Sequence, residues 1–113
     1  MPYIQVQTNQ TISAENAIAI KTQLGTAITA IPGKSESWLM VGLEGDCQLY
    51  FKGTDAPAAM VSVRIYGTAS DNALNTLTSH ITGILTDTLA IPSDRIYVSF
   101  WGTEHWGWNG SNL

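Results

Sequence analysis

Two stretches of this chain close in the same way, Ala30-Ile31-Pro32 and Ala90-Ile91-Pro92, and each follows a helical stripe and precedes an apolar strand. In the first, apolar residues at Ala17, Ile20, Leu24, Ile28 and Ile31 recur every three or four positions behind Ser13, a good N-cap. In the second, Leu74, Leu77, Ile81, Ile84 and Leu85 repeat the stripe behind Ser70. Proline and glycine after Ile31, and Pro92 after Ile91, stop the helices. The strand before each helix alternates, Ile4–Gln7 in one half and Met60–Tyr66 in the other. Trp38–Val41 reads as a buried strand after the first helix, Ile96–Trp101 as its counterpart after the second, and Cys47–Phe51 as a further short strand. The pattern is two copies of one β-α-β unit, about 2–55 and 56–113, within one domain spanning 1–113. A crossover helix implies parallel pairing inside each unit. The expected fold class is α+β: a two-layer sandwich with a four-stranded mixed sheet and both helices on one face.

That architecture leaves one sheet face bare, and the expectation is a face rich in Val, Ile and Tyr. Charged residues make up only 12 % of the chain, about half the usual share of roughly 25 %. A weakly polar surface of this kind is better covered by another subunit, which predicts a homo-oligomer. The net charge is −4, and the five basic residues, Lys21, Lys34, Lys52, Arg64 and Arg95, are scattered. Nucleic acid and anionic membrane are therefore not expected partners. Cys47 is the only cysteine, so no internal disulfide and no CxxC motif exist, and it reads as a packed thiol. His80 and His105 have no metal-ligand spacing with Cys47, Glu104 or Asp87, and His80 is expected on the surface of the second helix. No cofactor and no metal are expected. Asp94-Arg95 reads as a turn with a surface ion pair. There is no signal-peptide pattern and no run of 18 apolar residues, so cytoplasmic synthesis is the expectation.

Pro2 follows Met1 directly. At the first position of a strand its missing N–H costs nothing, which is reason enough for a proline there. Removal of Met1 would also expose a secondary amine, and such an amine can act as a base.

The start Met1-Pro2, Pro32-Gly33-Lys34, Ser62–Gly67, and above all Ile91–Tyr97 followed by Gly107–Ser111, together resemble the macrophage migration inhibitory factor family of the tautomerase superfamily, over essentially the whole chain. The resemblance implies a homotrimer with pockets between adjacent subunits, and keto–enol tautomerisation of phenylpyruvate- or dopachrome-like compounds. Pro2 matches the family's catalytic base, and one such amine can both remove and return a proton, a contribution of roughly 10²–10⁴-fold. Lys34 matches a pocket lysine that could bind a carboxylate or stabilise an enolate. Tyr97 matches a tyrosine supplied by the neighbouring subunit. Tyr66 matches a position that offers a backbone group, here with a larger side chain than the usual aliphatic one. Ser99 stands for the usual asparagine, with shorter reach. Trp106 and Trp108 match the rim, with Trp106 bulkier than usual, and Leu113 replaces a C-terminal aromatic. The family's CxxC positions fall on Ala58 and Val61, which removes that thiol chemistry. Two alternatives accompany the enzyme: an interaction protein with a protein receptor, secreted without a signal peptide, and another superfamily reaction on a small unsaturated acid. The latter calls for pocket arginines, and the sequence alone does not bring Arg64 or Arg95 near Pro2.

Overall fold

The computed structural model describes residues 1–113. Strand β1 (Pro2–Thr8) leads into helix α1 (Ala14–Ala27) and strand β2 (Met40–Glu44). Strand β3 (Ala59–Tyr66), helix α2 (Asp71–Leu89) and strand β4 (Ile96–Thr103) repeat the order. The chain closes on a small hairpin of β5 (Gly107–Trp108) and β6 (Ser111–Asn112). The main sheet runs β2-β1-β3-β4, with β1–β2 and β3–β4 parallel and β1–β3 antiparallel. The expected α+β arrangement, a four-stranded mixed sheet covered by two helices, is the one observed.

Both serine caps form: Ser13 Oγ accepts from the Asn16 N–H and Ser70 Oγ from the Ala73 N–H, each at 3.1 Å. α1 stops four residues before Ile31 and tightens into a 3₁₀ turn, Ile28–Ala30. Pro32 is the cause, because the residue before a proline is pushed out of the helical region and Ile31 adopts φ −91, ψ 115. The helical stripes meet the alternating strand residues in one core of 17 side chains, which includes Ile4, Val6, Val61 and Val63 from the strands and Leu24, Leu77, Ile81 and Leu85 from the helices. Neither helix is long and apolar enough to cross a membrane.

Three expectations fail. Trp38 lies in a 3₁₀ turn, Glu36–Trp38, rather than in a buried strand, and Trp38 and Met40 are exposed. β2 is an edge strand, so its outward residues meet solvent where a central strand's would meet neighbours. Cys47–Phe51 forms no strand, only an isolated bridge between Phe51 and Thr54. The bare face is not rich in Val and Ile, since period-two alternation turns those residues toward the helices. It carries three cross-strand rows instead: Met40-Tyr3-Arg64-Trp101, Gly42-Gln5-Ser62-Ser99 and Glu44-Gln7-Met60-Tyr97. Glu44 accepts from the Gln5 and Gln7 side-chain amides at 3.0 and 3.3 Å.

α2 ends at Ala90 in the left-handed conformation, φ 56, where a Cβ is disfavoured. Ala90 is exposed and loses no packing when trimmed. Ala90→Gly should therefore stabilise the protein by about 1 kcal/mol in a denaturant titration; unchanged or lower stability would contradict the strain.

Candidate active site

β1 is a central strand, and its first residue pairs with Ile65 of β3, which in turn pairs with Gly102 of β4. Pro2 is buried there. The peptide groups of Tyr66 frame this end of the sheet. Its N–H donates to the Met1 carbonyl at 3.0 Å, and its carbonyl accepts from Lys34 Nζ at 2.9 Å. Lys34 is delivered by the turn that closes the first half, where its N–H donates to the Ile31 carbonyl at 3.1 Å and Gly33 supplies φ 82. The chain bends away after Tyr66 because the Gly67 N–H donates to the Thr103 carbonyl at 2.8 Å. The approach is so close that a Cβ on Gly102 would stand 2.6 Å from the Gly67 carbonyl oxygen, so only glycine fits.

A groove of about 380 Å³ opens at the terminus, walled by Met1, Pro2, Tyr3, Trp38, Trp106 and Trp108 among others. Trp38 and Trp108 meet edge to face, with ring centroids 5.0 Å apart and planes at 89°. Trp106 also walls a second groove, of about 360 Å³, that Arg64, Trp101 and Thr103 line on the bare sheet face. The larger groove in the protein, about 490 Å³, lies elsewhere, between α1 and α2, and is lined by threonines and His80. It does not contain the chain terminus, so the proton chemistry points to the smaller groove, which Met1 and Pro2 wall. His80 lies on the exposed face of α2 as expected.

The Met1 α-amino group is held below its ordinary value, first by burial, then by the charge of Lys34 and a hydrogen bond with it. Burial and a neighbouring cation both penalise the protonated form. The site thus favours a neutral amine at the chain terminus.

The structure brings Pro2, Lys34, the Tyr66 backbone, Trp106 and Trp108 to one end of the sheet. The Leu113 N–H donates to the Trp106 carbonyl at 2.9 Å, so the last residue fastens the hairpin carrying the indoles, while its side chain is exposed. Tyr97 and Ser99 lie elsewhere. Tyr97 pairs with Met60, five residues or about 16 Å along β4 from Gly102. It is 60 % exposed, with its ring 4.8 Å from that of Phe51. Ser99 sits in mid-strand, its Oγ 3.5 Å from the Val61 carbonyl. Sequence reading misses several groove residues, Tyr3, Trp38, Leu39 and Met40 among them; Trp38 is missed because an apolar run around it resembles a strand, although its place just after Pro32-Gly33-Lys34 is the signal for a turn. Arg95 makes no ion pair with Asp94 and donates to backbone carbonyls instead. No group of three His, Cys, Asp or Glu side chains converges anywhere in the chain.

Comparison with known proteins agrees with this picture. Residues 1–113 match the family described as macrophage migration inhibitory factor. A macrophage migration inhibitory factor homolog from Trichuris trichiura is 30 % identical over 117 residues, covering 100 % of both chains. The macrophage migration inhibitory factor of Meriones unguiculatus is 28 % identical over 115 residues, covering 100 % of this chain and 99 % of its own. The crystal structure of Leishmania major MIF2 superposes with a TM-score of 0.94 at 29 % identity, over 100 % of this chain and 97 % of its own. The fold and the buried amino-terminal strand define a tautomerase-fold protein. The chain belongs to the macrophage migration inhibitory factor family.

If burial and Lys34 together depress the terminal amine, Lys34→Ala should raise its pKa only part of the way to the ordinary α-amino value, because burial is the larger cause. An NMR titration of the Met1-retaining chain would check this, and an unmoved pKa would remove Lys34 from the account.

Proposed function

We propose that the protein is a keto–enol tautomerase of phenylpyruvate- or dopachrome-like compounds, with Pro2 as its general acid and base once Met1 is removed. The observation that supports this reading most is the Met1 carbonyl. It accepts from the Tyr66 N–H at 3.0 Å, at the strand end whose carbonyl Lys34 Nζ reaches, and Met1 itself walls the indole-lined groove, so in the processed chain a substrate oxygen would take its place. Loss of Met1 converts the Pro2 nitrogen from a tertiary amide, which cannot accept a proton, into a secondary amine that can. It also frees the Tyr66 N–H as a donor.

In the ketonisation direction, the enol O–H proton passes to the neutral Pro2 nitrogen, the carbonyl re-forms, and the nitrogen delivers a proton to the carbon. The reverse sequence removes that carbon's proton and returns it to oxygen. Negative charge that develops on oxygen is stabilised by Lys34 or the Tyr66 N–H, both held by the fold before substrate arrives. The three indoles offer flat apolar walls to an aryl group.

In this reading three chains assemble, each bare sheet face covered by its neighbours, and Tyr97 and Ser99 of one subunit complete the Pro2 groove of the next. The 60 % exposure of Tyr97 and its distance from Pro2 within one chain are consistent with that arrangement.

Mass spectrometry should sort preparations into chains with and without Met1, and phenylpyruvate tautomerase activity should rise in proportion to the processed fraction. Light scattering should give about three times the chain mass for either form. Pro2→Gly, which keeps a free but primary and flexible amine, should slow turnover without dissociating the trimer. A fully Met1-blocked chain as active as the processed one would overturn the reading.

A further inference from the structure

The loop between β2 and β3 has no regular structure, yet two side chains hold it firmly. On one side Asn9 Nδ2 donates to the carbonyls of Asp55 and Ala56 at 3.1 and 2.9 Å, while its Oδ1 accepts from the Ala58 N–H at 2.9 Å. On the other side Arg95 spends its whole fork on backbone. Nε donates to the Pro57 carbonyl at 2.9 Å, Nη1 to Phe51 at 3.1 Å, and Nη2 to Ala56 and Thr54 at 3.0 and 3.2 Å. Between these anchors the chain makes a tight turn. Phe51 and Thr54 exchange hydrogen bonds at 2.9 and 3.1 Å, and Lys52 and Gly53 take φ 51 and 77.

The consequence is the placement of one ring. Phe51 lies between the Arg95 guanidinium, 5.2 Å from its centroid, and the Tyr97 ring, 4.8 Å away and tilted by 52°. Tyr97 is otherwise exposed, and Phe51 is the aromatic ring that packs against it. Arg95 closes a 3₁₀ turn, Ser93–Arg95, and Tyr97 is the second residue of β4, and the two meet on the Phe51 ring. Four carbonyls converging on one guanidinium is more than a turn needs, since the Phe51–Thr54 pair and Asn9 already close it. Lysine could not replace this clamp, because its compact ammonium lacks the planar fork that reaches four acceptors at once.

We propose that Arg95 is a positioning residue for catalysis, holding Phe51 against Tyr97 so that the Tyr97 ring is set at a fixed angle for the substrate's aryl group in the adjoining subunit's groove. This rests on the reading of Pro2 as the base and of Tyr97 as a groove residue supplied across the interface. Arg95 touches no substrate and moves no proton. It acts through Phe51 and then Tyr97, and so should govern how tightly an aryl substrate is held rather than how readily its proton moves.

The test compares Arg95→Gln, Arg95→Lys, Phe51→Leu and the Arg95→Gln/Phe51→Leu double variant in the processed protein. It uses two enolisable 2-oxo acids, one aryl and one short alkyl. Ser70→Ala, which removes the α2 cap far from the loop, controls for lost stability. Loss of the clamp should raise KM for the aryl acid by about tenfold, the size of one lost aromatic contact, with kcat and the acidic limb of the pH profile nearly unchanged. The alkyl acid should be little affected. Phe51→Leu should reproduce the effect, and the double variant should be no worse than either single one, as expected for residues acting in series. Arg95→Lys serves if Arg95→Gln does not fold, and should show the same split. Equal losses for the two acids, additive effects, or a matching loss in Ser70→Ala would overturn the proposal. Processed wild type whose turnover is indifferent to Pro2 would instead overturn the reading on which it rests, whatever the Arg95 variants do.

Discussion

The rest of the molecule follows from one placement: the strand that begins at Pro2 runs through the middle of the sheet, between β2 and β3, rather than along an edge. A central strand needs its N–H groups for the ladder, and proline is tolerated there only as the first residue. The chain terminus is therefore drawn into the end of the sheet, with the Ile65–Tyr66 backbone on one side and β2 on the other. A terminus in that position loses solvent, and lost solvent is the first cause of its weakened hold on a proton. The chemistry attributed to the site thus has its origin in strand order.

Lys34 adds the second cause, and its location is a product of the first repeat's ending. Pro32 stops α1, Gly33 reverses the chain, and Lys34 reaches the Tyr66 carbonyl at 2.9 Å. A single strand end, Tyr66, therefore ties together the terminus, the lysine and, through Gly67 and Thr103, β4. The indoles of Trp38, Trp106 and Trp108 come from a 3₁₀ turn and a short hairpin beyond the sheet. They can vary without disturbing the ladder, whereas Gly102 cannot, because a Cβ there would meet the Gly67 carbonyl.

The repeated β-α-β order, both serine caps and the parallel pairing were legible in the sequence, because periodicity and cap chemistry are local signals and nothing in the packing opposes them. The composition of the bare face was not, although it follows from the same alternation once β1 is registered on β3: Ile4, Val6, Val61 and Val63 all turn inward. The reading of Trp38–Val41 as a buried strand failed because an apolar run carries no sign of edge position. Arg95 was misread for a deeper reason. Its partners are carbonyls more than thirty residues away, and backbone acceptors leave no mark in a sequence, whereas the neighbouring Asp94 does. At the site, Pro2 and Lys34 were visible through the company they keep, but the convergence of both on the peptide groups of Tyr66 is a matter of register. Tyr97 and Ser99 cannot be joined to Pro2 within one chain, by sequence or by structure.

The most direct test of the account is the proton affinity of the Pro2 nitrogen itself. In chains lacking Met1 and labelled with nitrogen-15 at proline, the Pro2 resonance can be followed through a pH titration of the folded protein. The account predicts a titration below the ordinary α-amino range of about 7.7–8.0, the direction in which burial and the Lys34 charge move the amine of the Met1-retaining chain. A Pro2 amine that titrates within or above that range would contradict the claim that the fold prepares it as a base.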